Sequence, residues 1–378
     1  MMHFKNIKVI VLLIVIFCSC TEIYNPDVNS DTNALIVEGL ITNGTGPFTV
    51  KLSQSVPFDS LTVSKAVSGA KLTVITGKNI SYQLIEGVNG SYNLPLTFKS
   101  TIGESYKLHI ETADGNIYES NTQTLLHPQS LDTIQGFYTM QNYMDINKNY
   151  NTVDGVDIRV DLFNHVSNTE SAPLCRFKSN ITIQYTYSGT VTDTTPWHWF
   201  YFGWQSFNLN GNENITDERS LSRNGVIKNH SLGFVPFGIM SYGFNMPLTT
   251  LVSYYYFRCD QYTINADTYN FYKAANTQLT ASGKIFDPVT SQLYGNMKCI
   301  NNPSKIVLGL FEVSSVTQSA FIINPSQYQN KIVLYSSKYI NIPGPGSGKY
   351  KVLDGMPGST PKDSTFIVIP FPVWWDHN

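Results

Sequence analysis

The six residues Phe48 to Ser53 read FTVKLS, apolar and polar in strict alternation. Period two marks a strand with one buried and one wet face, because successive side chains leave a pleated backbone on opposite sides. The same beat returns in AKLTVI at 70–75, SYQLI at 81–85 and YKLHIE at 106–111, and a β-branched run, LIVEGLI, spans 35–41. Between these runs stand Asn43-Gly44, Asn89-Gly90 and Asp114-Gly115, residue pairs that tolerate the positive φ of tight turns. No stretch of helical period separates them. Short strands at this spacing predict a β-sandwich over residues 34–125, of the immunoglobulin or transthyretin type. His109 alternates with Leu108 and Ile110, so it is expected on the solvated face and not as a ligand.

Residues 126–131, LHPQSL, read as a linker, since Pro128 lacks the N–H that a ladder needs. Beyond it, VDIRVDL at 156–162 alternates cleanly, and 175–187 and 251–262 are rich in Ile, Thr and Tyr. One helix is predicted, Asp267 to Leu279, with Asp267 capping its first turn and Tyr269, Tyr272, Ala275 and Leu279 on one face. Later strands are predicted at 305–311, 320–323, 332–335 and 365–369. The expected class is mainly β: an N-terminal sandwich followed by a larger β-rich domain, residues 132–378, bearing the helix.

Residues 1–19 belong to neither domain. Lys5 and Lys8 precede an unbroken apolar run of nine residues, Val9 to Phe17, and no acid occurs before Glu22. A membrane-spanning helix needs about 20 apolar residues, whereas the apolar part of a signal peptide takes about 7–15. The run ends in Cys18-Ser19-Cys20, small residues leading to a cysteine, as a bacterial lipobox requires; Phe17 is bulkier than the usual Leu. The pattern predicts a signal peptide over 1–19, diacylglycerol on the Cys20 thiol, and a lipidated tether over 20–33 whose polar stretch NPDVNSDTN carries no apolar period. Cys18 then leaves with the leader. The other reading of the same residues is an ordinary secreted protein with Cys20 in a disulfide.

Composition excludes one class of partner. With 25 Lys and Arg against 27 Asp and Glu the net charge is −2, and removing Lys5 and Lys8 makes it more negative. Nucleic-acid affinity rests on clustered positive charge, which this chain lacks. Charged residues make up 14%, against the usual quarter or so, while aromatics reach 13%. Such a surface is polar without being ionic, as in exported β-proteins. Cys175, Cys259 and Cys299 show no metal-binding spacing; in an oxidising compartment a Cys259–Cys299 bridge is expected.

The order of the pieces carries further information. LIVEGLITN at 35–43 is followed by GPFTVKLS at 46–53, Gly69-Ala70, Gly90-Ser91-Tyr92, and Gly103 before YKLHI at 106–110, then Thr112, Asp114-Gly115 and Tyr118-Glu119-Ser120. After the helix come Gly283, IFDP at 285–288, Gly295-Asn296 and VLGLFEVSS at 307–315. This ordered set resembles the domain-of-unknown-function 4249 family of Bacteroidota lipoproteins over nearly the whole mature chain. The resemblance implies an extracytoplasmic lipoprotein, often encoded beside a TonB-dependent outer-membrane receptor. It implies no chemistry and no site residues. Cysteines that often flank a Trp-Asp pair in the family's tail are missing from VWWDHN at 373–378. In lipoproteins of this type, an acid such as Glu22 just after the anchor resembles the signal for the outer face of the outer membrane.

Three constellations invite chemical readings. Gly344 to Tyr350, GPGSGKY, lacks the first Gly and the final Ser or Thr of a phosphate loop and reads as a flexible loop. Asp145 to Asn151 alternates oxygen donors as calcium loops do, but Tyr150 stands where such loops need Gly and Val156 where they need Glu. WHWFYFGW at 197–204 is the most unusual run, and Trp197, Trp199, Tyr201 and Trp204 are the candidate binding surface, since sugars, peptides and partner proteins dock on aromatic faces. The competing reading is a strand buried on both sides; Trp374 and Trp375 form a second, weaker candidate. Neither a GxSxG elbow nor an HExxH pair occurs. The expectation is a non-enzymatic outer-membrane lipoprotein facing the cell exterior, without cofactor or metal, partnering a TonB-dependent transporter. A stand-alone adhesin or glycan-binding module is the alternative, and a hydrolase with a hidden carboxylate pair a third.

Overall fold

A computed structural model describes residues 33–56, 64–131, 133–144, 150–163, 174–190, 198–209, 213–216, 226–237, 250–280, 293–323 and 332–335, and the chain is mainly strand. Two sheets form a first unit. One runs in the order β19 (Val307–Val313), β1 (Leu35–Ile41), β2 (Thr49–Ser55), β7 (Ser91–Asn93), β6 (Ile85–Glu86), with β3 (Ser64–Ala66) on β2. The other runs β18 (Met297–Cys299), β9 (Ile117–Ser120), β8 (Ser105–Glu111), β4 (Lys71–Thr76), β5 (Ser81–Gln83), with β10 (Gln123–Thr124) on β8.

The alternating runs do what their period requires. Val50 and Leu52 of β2, Leu72 and Val74 of β4, and Leu108 and Ile110 of β8 are buried together in one apolar cluster fed by both sheets. Phe98, in the β7–β8 connection, anchors it: Phe48, Tyr82 and Tyr106 meet its ring edge-on at 5.8, 5.0 and 5.8 Å between centroids. His109 takes the opposite parity and is half-buried, between Glu119 and Glu111.

The domain limit expected at residue 125 needs correction, because β18 and β19 return from beyond residue 290 to join these sheets. β19 pairs parallel with the whole of β1, from Leu35 opposite Val307 to Ile41 opposite Val313. That pairing occupies backbone donors and acceptors that β1 would otherwise present on an open edge. The approach is too close for side chains. Gly309 has a φ of +86°, and a Cβ there would strike the Val37 carbonyl; one on Gly295 would strike the Gly309 carbonyl. Asn296 then completes the edge, its Nδ2 donating to Phe311 O at 2.7 Å and its Oδ1 accepting from Phe311 N at 3.0 Å.

Two further sheets form the second unit: β16 (Val226–Pro236), β12 (Tyr150–Phe163), β11 (Thr133–Met144) and β21 (Ile332–Tyr335) in one, and β14 (His198–Asn208), β13 (Cys175–Thr190), β17 (Thr250–Thr263) and β20 (Ser315–Ile323) in the other, with β15 (Asn214–Ile215) on β13. Val156, Ile158, Val160 and Leu162 bury against Phe177, Ile181, Phe257 and Phe321. The polar half of VDIRVDL keeps to the other parity, where Asp157 accepts from Ser231 Oγ and Arg159 Nε, both at 2.6 Å.

Helix α1 (Ala266–Thr280) lies one residue wider at each end than predicted. Its cap is Asn265, whose Oδ1 accepts from Thr268 N at 2.9 Å. Asp267, predicted as the cap, instead accepts from Asn121 Nδ2 at 3.0 Å and Gln123 Nε2 at 3.4 Å, which fastens the helix to the first unit. Tyr269 is buried and Tyr272 and Ala275 half-buried, but Leu279 is exposed, so the predicted apolar face fades in the last turn. The strand predicted at 365–369 lies outside the described residues.

Candidate functional site

The chain passes from one unit to the other at Ser314: β19 ends at Val313, β20 begins at Ser315, and Ser314 N donates to Ile41 O at 3.0 Å. Around this crossing lies a buried charged cluster. Arg176 is only 1% exposed, the largest of the fully buried side chains among the described residues. On β13 it stands between Cys175 and Phe177, which belong to the second unit's core, so alternation sends it to the opposite face. Glu312 is placed likewise beside Phe311 of the first core. Each is thus the polar partner of a core residue.

The two meet. Arg176 Nη2 donates to Glu312 Oε1 at 3.0 Å and Oε2 at 3.1 Å, and Nη1 to Glu213 Oε2 at 3.2 Å. Tyr272 of the helix donates its hydroxyl to Glu312 Oε2, and Ser314 Oγ donates to Oε1, both at 2.7 Å. The guanidinium lies between two rings, its carbon 4.1 Å from the Tyr262 centroid and 4.6 Å from that of Tyr272. Tyr262 is also the residue opposite Arg176 in the β13–β17 ladder. Burial works against the Arg176 charge, but Glu312, Tyr272 and Glu213 outweigh it and hold the proton more firmly than usual. Burial, reinforced by the Glu312 charge, raises the Tyr272 phenol well above its ordinary range.

Both oxygens of Glu312 are occupied by donors from β13, the helix and the crossing itself. A carboxylate so engaged holds its donors in place. A second fastening lies beside it, where Asn43 Oδ1 accepts from Val316 N at 2.7 Å and its Nδ2 donates to Val316 O at 3.3 Å. The seam joins the units by charge and hydrogen bonds, and beside them Leu40 of β1 packs against the apolar cluster of Tyr262, Ile264 and Tyr269.

The residues singled out from sequence fall elsewhere. Cys20 and Trp197 lie outside the described residues, as do the loop at 344–350, Trp374 and Trp375, and residues 145–149 of the oxygen-rich loop. Trp199, Tyr201 and Trp204 lie on β14, opposite Gly189, Tyr187 and Gln184. Trp199 and Tyr201 therefore share one register parity and Trp204 has the other. The expected Cys259–Cys299 bridge is not formed: Cys259 lies in the core of the second unit and Cys299 in that of the first, and with Cys175 all three are buried free thiols. Among the described residues no group of three His, Cys, Asp or Glu could hold a metal ion, and no helix is long and apolar enough to cross a membrane. Sequence reasoning missed Arg176 and Glu312, although a lone Glu inside VLGLFEV and a lone Arg between Cys and Phe are the marks of a buried pair.

Fold and seam together define a mainly-β protein of two sheet units fastened at a strand crossing. The chain belongs to the family described as Domain of unknown function (DUF4249), whose model matches residues 21–320. No curated protein matches it.

Proposed function

We propose that the protein is a non-enzymatic surface lipoprotein of the outer membrane, anchored through acylated Cys20, that binds ligand for, or acts as accessory partner to, a TonB-dependent transporter. The observation that carries this reading is the leader: two lysines, nine apolar residues, then Ser19-Cys20 and a polar run. Two or more acyl chains give a stable anchor where one does not. The family match opens at residue 21, directly after that cysteine. A body fastened at its seam suits a presenting role, because it carries its outer unit at a set place above the tether. The contact residues proposed are Trp197, Trp199, Tyr201 and Trp204, with Trp199/Tyr201 and Trp204 tested separately because their parities differ.

The test is Cys20→Ser in the native host. The account expects loss of the acylated mature form and release of the chain from the outer-membrane fraction. An unchanged mature mass and unchanged fractionation would remove the anchor. Affinity purification of the wild-type protein from outer membranes should recover a TonB-dependent receptor; repeated recovery without one would remove the transporter role.

A further inference from the structure

We infer that the end of the first unit from which the tether leaves is a lipid-facing surface, with Val88 and Ile300 at its rim and Lys65 and Lys305 reaching headgroups. The inference rests on the anchor at Cys20. Strand β1 fixes the geometry: it starts at Leu35, next to the tether, and ends at Ile41, on the seam. The tether and the second unit therefore lie at opposite ends of one strand, about 20 Å apart at the usual rise. The start is pinned, since Asn33 N donates to Ser55 O at 3.3 Å and Ala34 N to Ser55 Oγ at 2.9 Å.

Pairing places the other groups at this same end. Lys65 is opposite Gln54, which is opposite Leu35. Lys305 immediately precedes β19, whose Val307 is also opposite Leu35. The β6–β7 turn closes here, Gly90 O accepting from Leu52 N at 2.8 Å, and its tip residue Val88 is 78% exposed. Ile300, 44% exposed, opens the loop that leads into β19. Three acids stand at this end: Glu86 accepts from Gly69 N, Asp114 from Thr112 and Asn116, and Glu111 Oε1 lies 3.3 Å from His109 Nε2. Neither Lys65 nor Lys305 makes an ion pair among the described residues.

The choice of a bilayer as occupant follows from chain length. Thirteen positions separate Cys20 from Asn33. Whatever its conformation, a chain of that length spans at most about 45 Å. A short leash of this kind brings the tether end to the headgroups far more often than the seam end. Exposed apolar tips and free lysines are what an interface of headgroup and acyl chain accepts.

The test uses the full acylated protein in vesicles of phosphatidylethanolamine and phosphatidylglycerol containing a spin-labelled phospholipid. A polarity-sensitive fluorophore is placed at Val88→Cys or, as a control at the seam end, at Leu96→Cys, a site 83% exposed. The account expects a blue shift and loss of most emission at position 88, little change at 96, and weaker quenching at 88 when Lys65→Glu and Lys305→Glu are added. Flotation with the vesicles but no quenching at 88, or equal quenching at both positions, would overturn the inference while leaving the anchor intact. Failure to float at all would remove anchor and inference together.

Discussion

Two charged clusters in this chain use the same chemistry in opposite settings. On the outer face of β8 and β9, Lys107 Nζ lies 2.5 Å from Glu119 Oε2, and His109 reaches Glu119 and Glu111 at 3.2 and 3.3 Å. At the seam, Arg176 meets Glu312 and Glu213 over similar distances. The difference is water. Lys107 and Glu119 keep 35% and 23% of their side-chain surface exposed, so solvent and salt screen their attraction. Arg176 and Glu312 have almost none, so removing either would leave the other's charge buried without its bidentate partner. The first cluster decorates a sheet, while the second holds two units together.

The largest effect expected from breaking this contrast is at Arg176. Arg176→Ala leaves Glu312 buried without its countercharge and should cost about 3–5 kcal/mol in urea denaturation. Replacing the pair together, Arg176→Met with Glu312→Leu, removes both charges and should recover much of that loss; a double variant as weak as the single one would mean that packing, not charge, governs the seam. Next comes Asn296→Ala, which strips the buried amide from both backbone groups of Phe311 and should cost about 1–3 kcal/mol.

A pH titration sharpens the comparison further. Burial pushes the Cys175 and Cys259 thiols up to about 12. It does the same to Tyr118, to about 12, and raises Tyr92 and Tyr106 in the same sense. The unfolded chain loses these protons first, from the ordinary thiol value of 9.0 upward. Stability from these groups is therefore complete below about pH 9 and falls as pH rises toward 12. A flat melting temperature across that range would contradict their burial. On the acid side, hydrogen bonding from Lys107, against the opposing effect of burial and helped by His109, holds Glu119 below the usual carboxylate range. Its small contribution is present above the unfolded carboxylate value and is lost as pH falls through the folded one. Lys107→Ala should accordingly be the mildest change, about 0–1 kcal/mol and less in high salt.

How much of this was legible follows from what period two encodes. FTVKLS, AKLTVI, YKLHIE and VDIRVDL announced which residues enter a core, because alternation is a local property that survives into the fold. Pairing between distant strands is not local. Nothing in Val307 to Val313 says that it will lie parallel to β1, more than 260 residues earlier, although Gly309 and Gly295-Asn296 carry the close approach that makes it possible. The helix was visible in its period, but its cap was misplaced by two positions because Asn265 and Asp267 are both good capping residues and Asn121 and Gln123 claim the second. Cys259 and Cys299 looked alike in sequence and fell into different cores. The seam stayed hidden because Arg176 and Glu312 acquire meaning only when three elements converge on them.

All five tryptophans come after residue 196, and the strands of the first unit contain none. With Trp197, Trp374 and Trp375 replaced by Phe, the remaining Trp199 and Trp204 on β14 report on the second unit, while far-ultraviolet circular dichroism follows both units. Urea unfolding of this otherwise wild-type protein and of its Arg176→Ala variant, read by both signals, tests directly whether the seam makes the two units one body. Superimposable curves for the wild type and separated curves for the variant are the predicted result. Separated wild-type curves, or a variant whose curves still coincide at an unchanged midpoint, would contradict it.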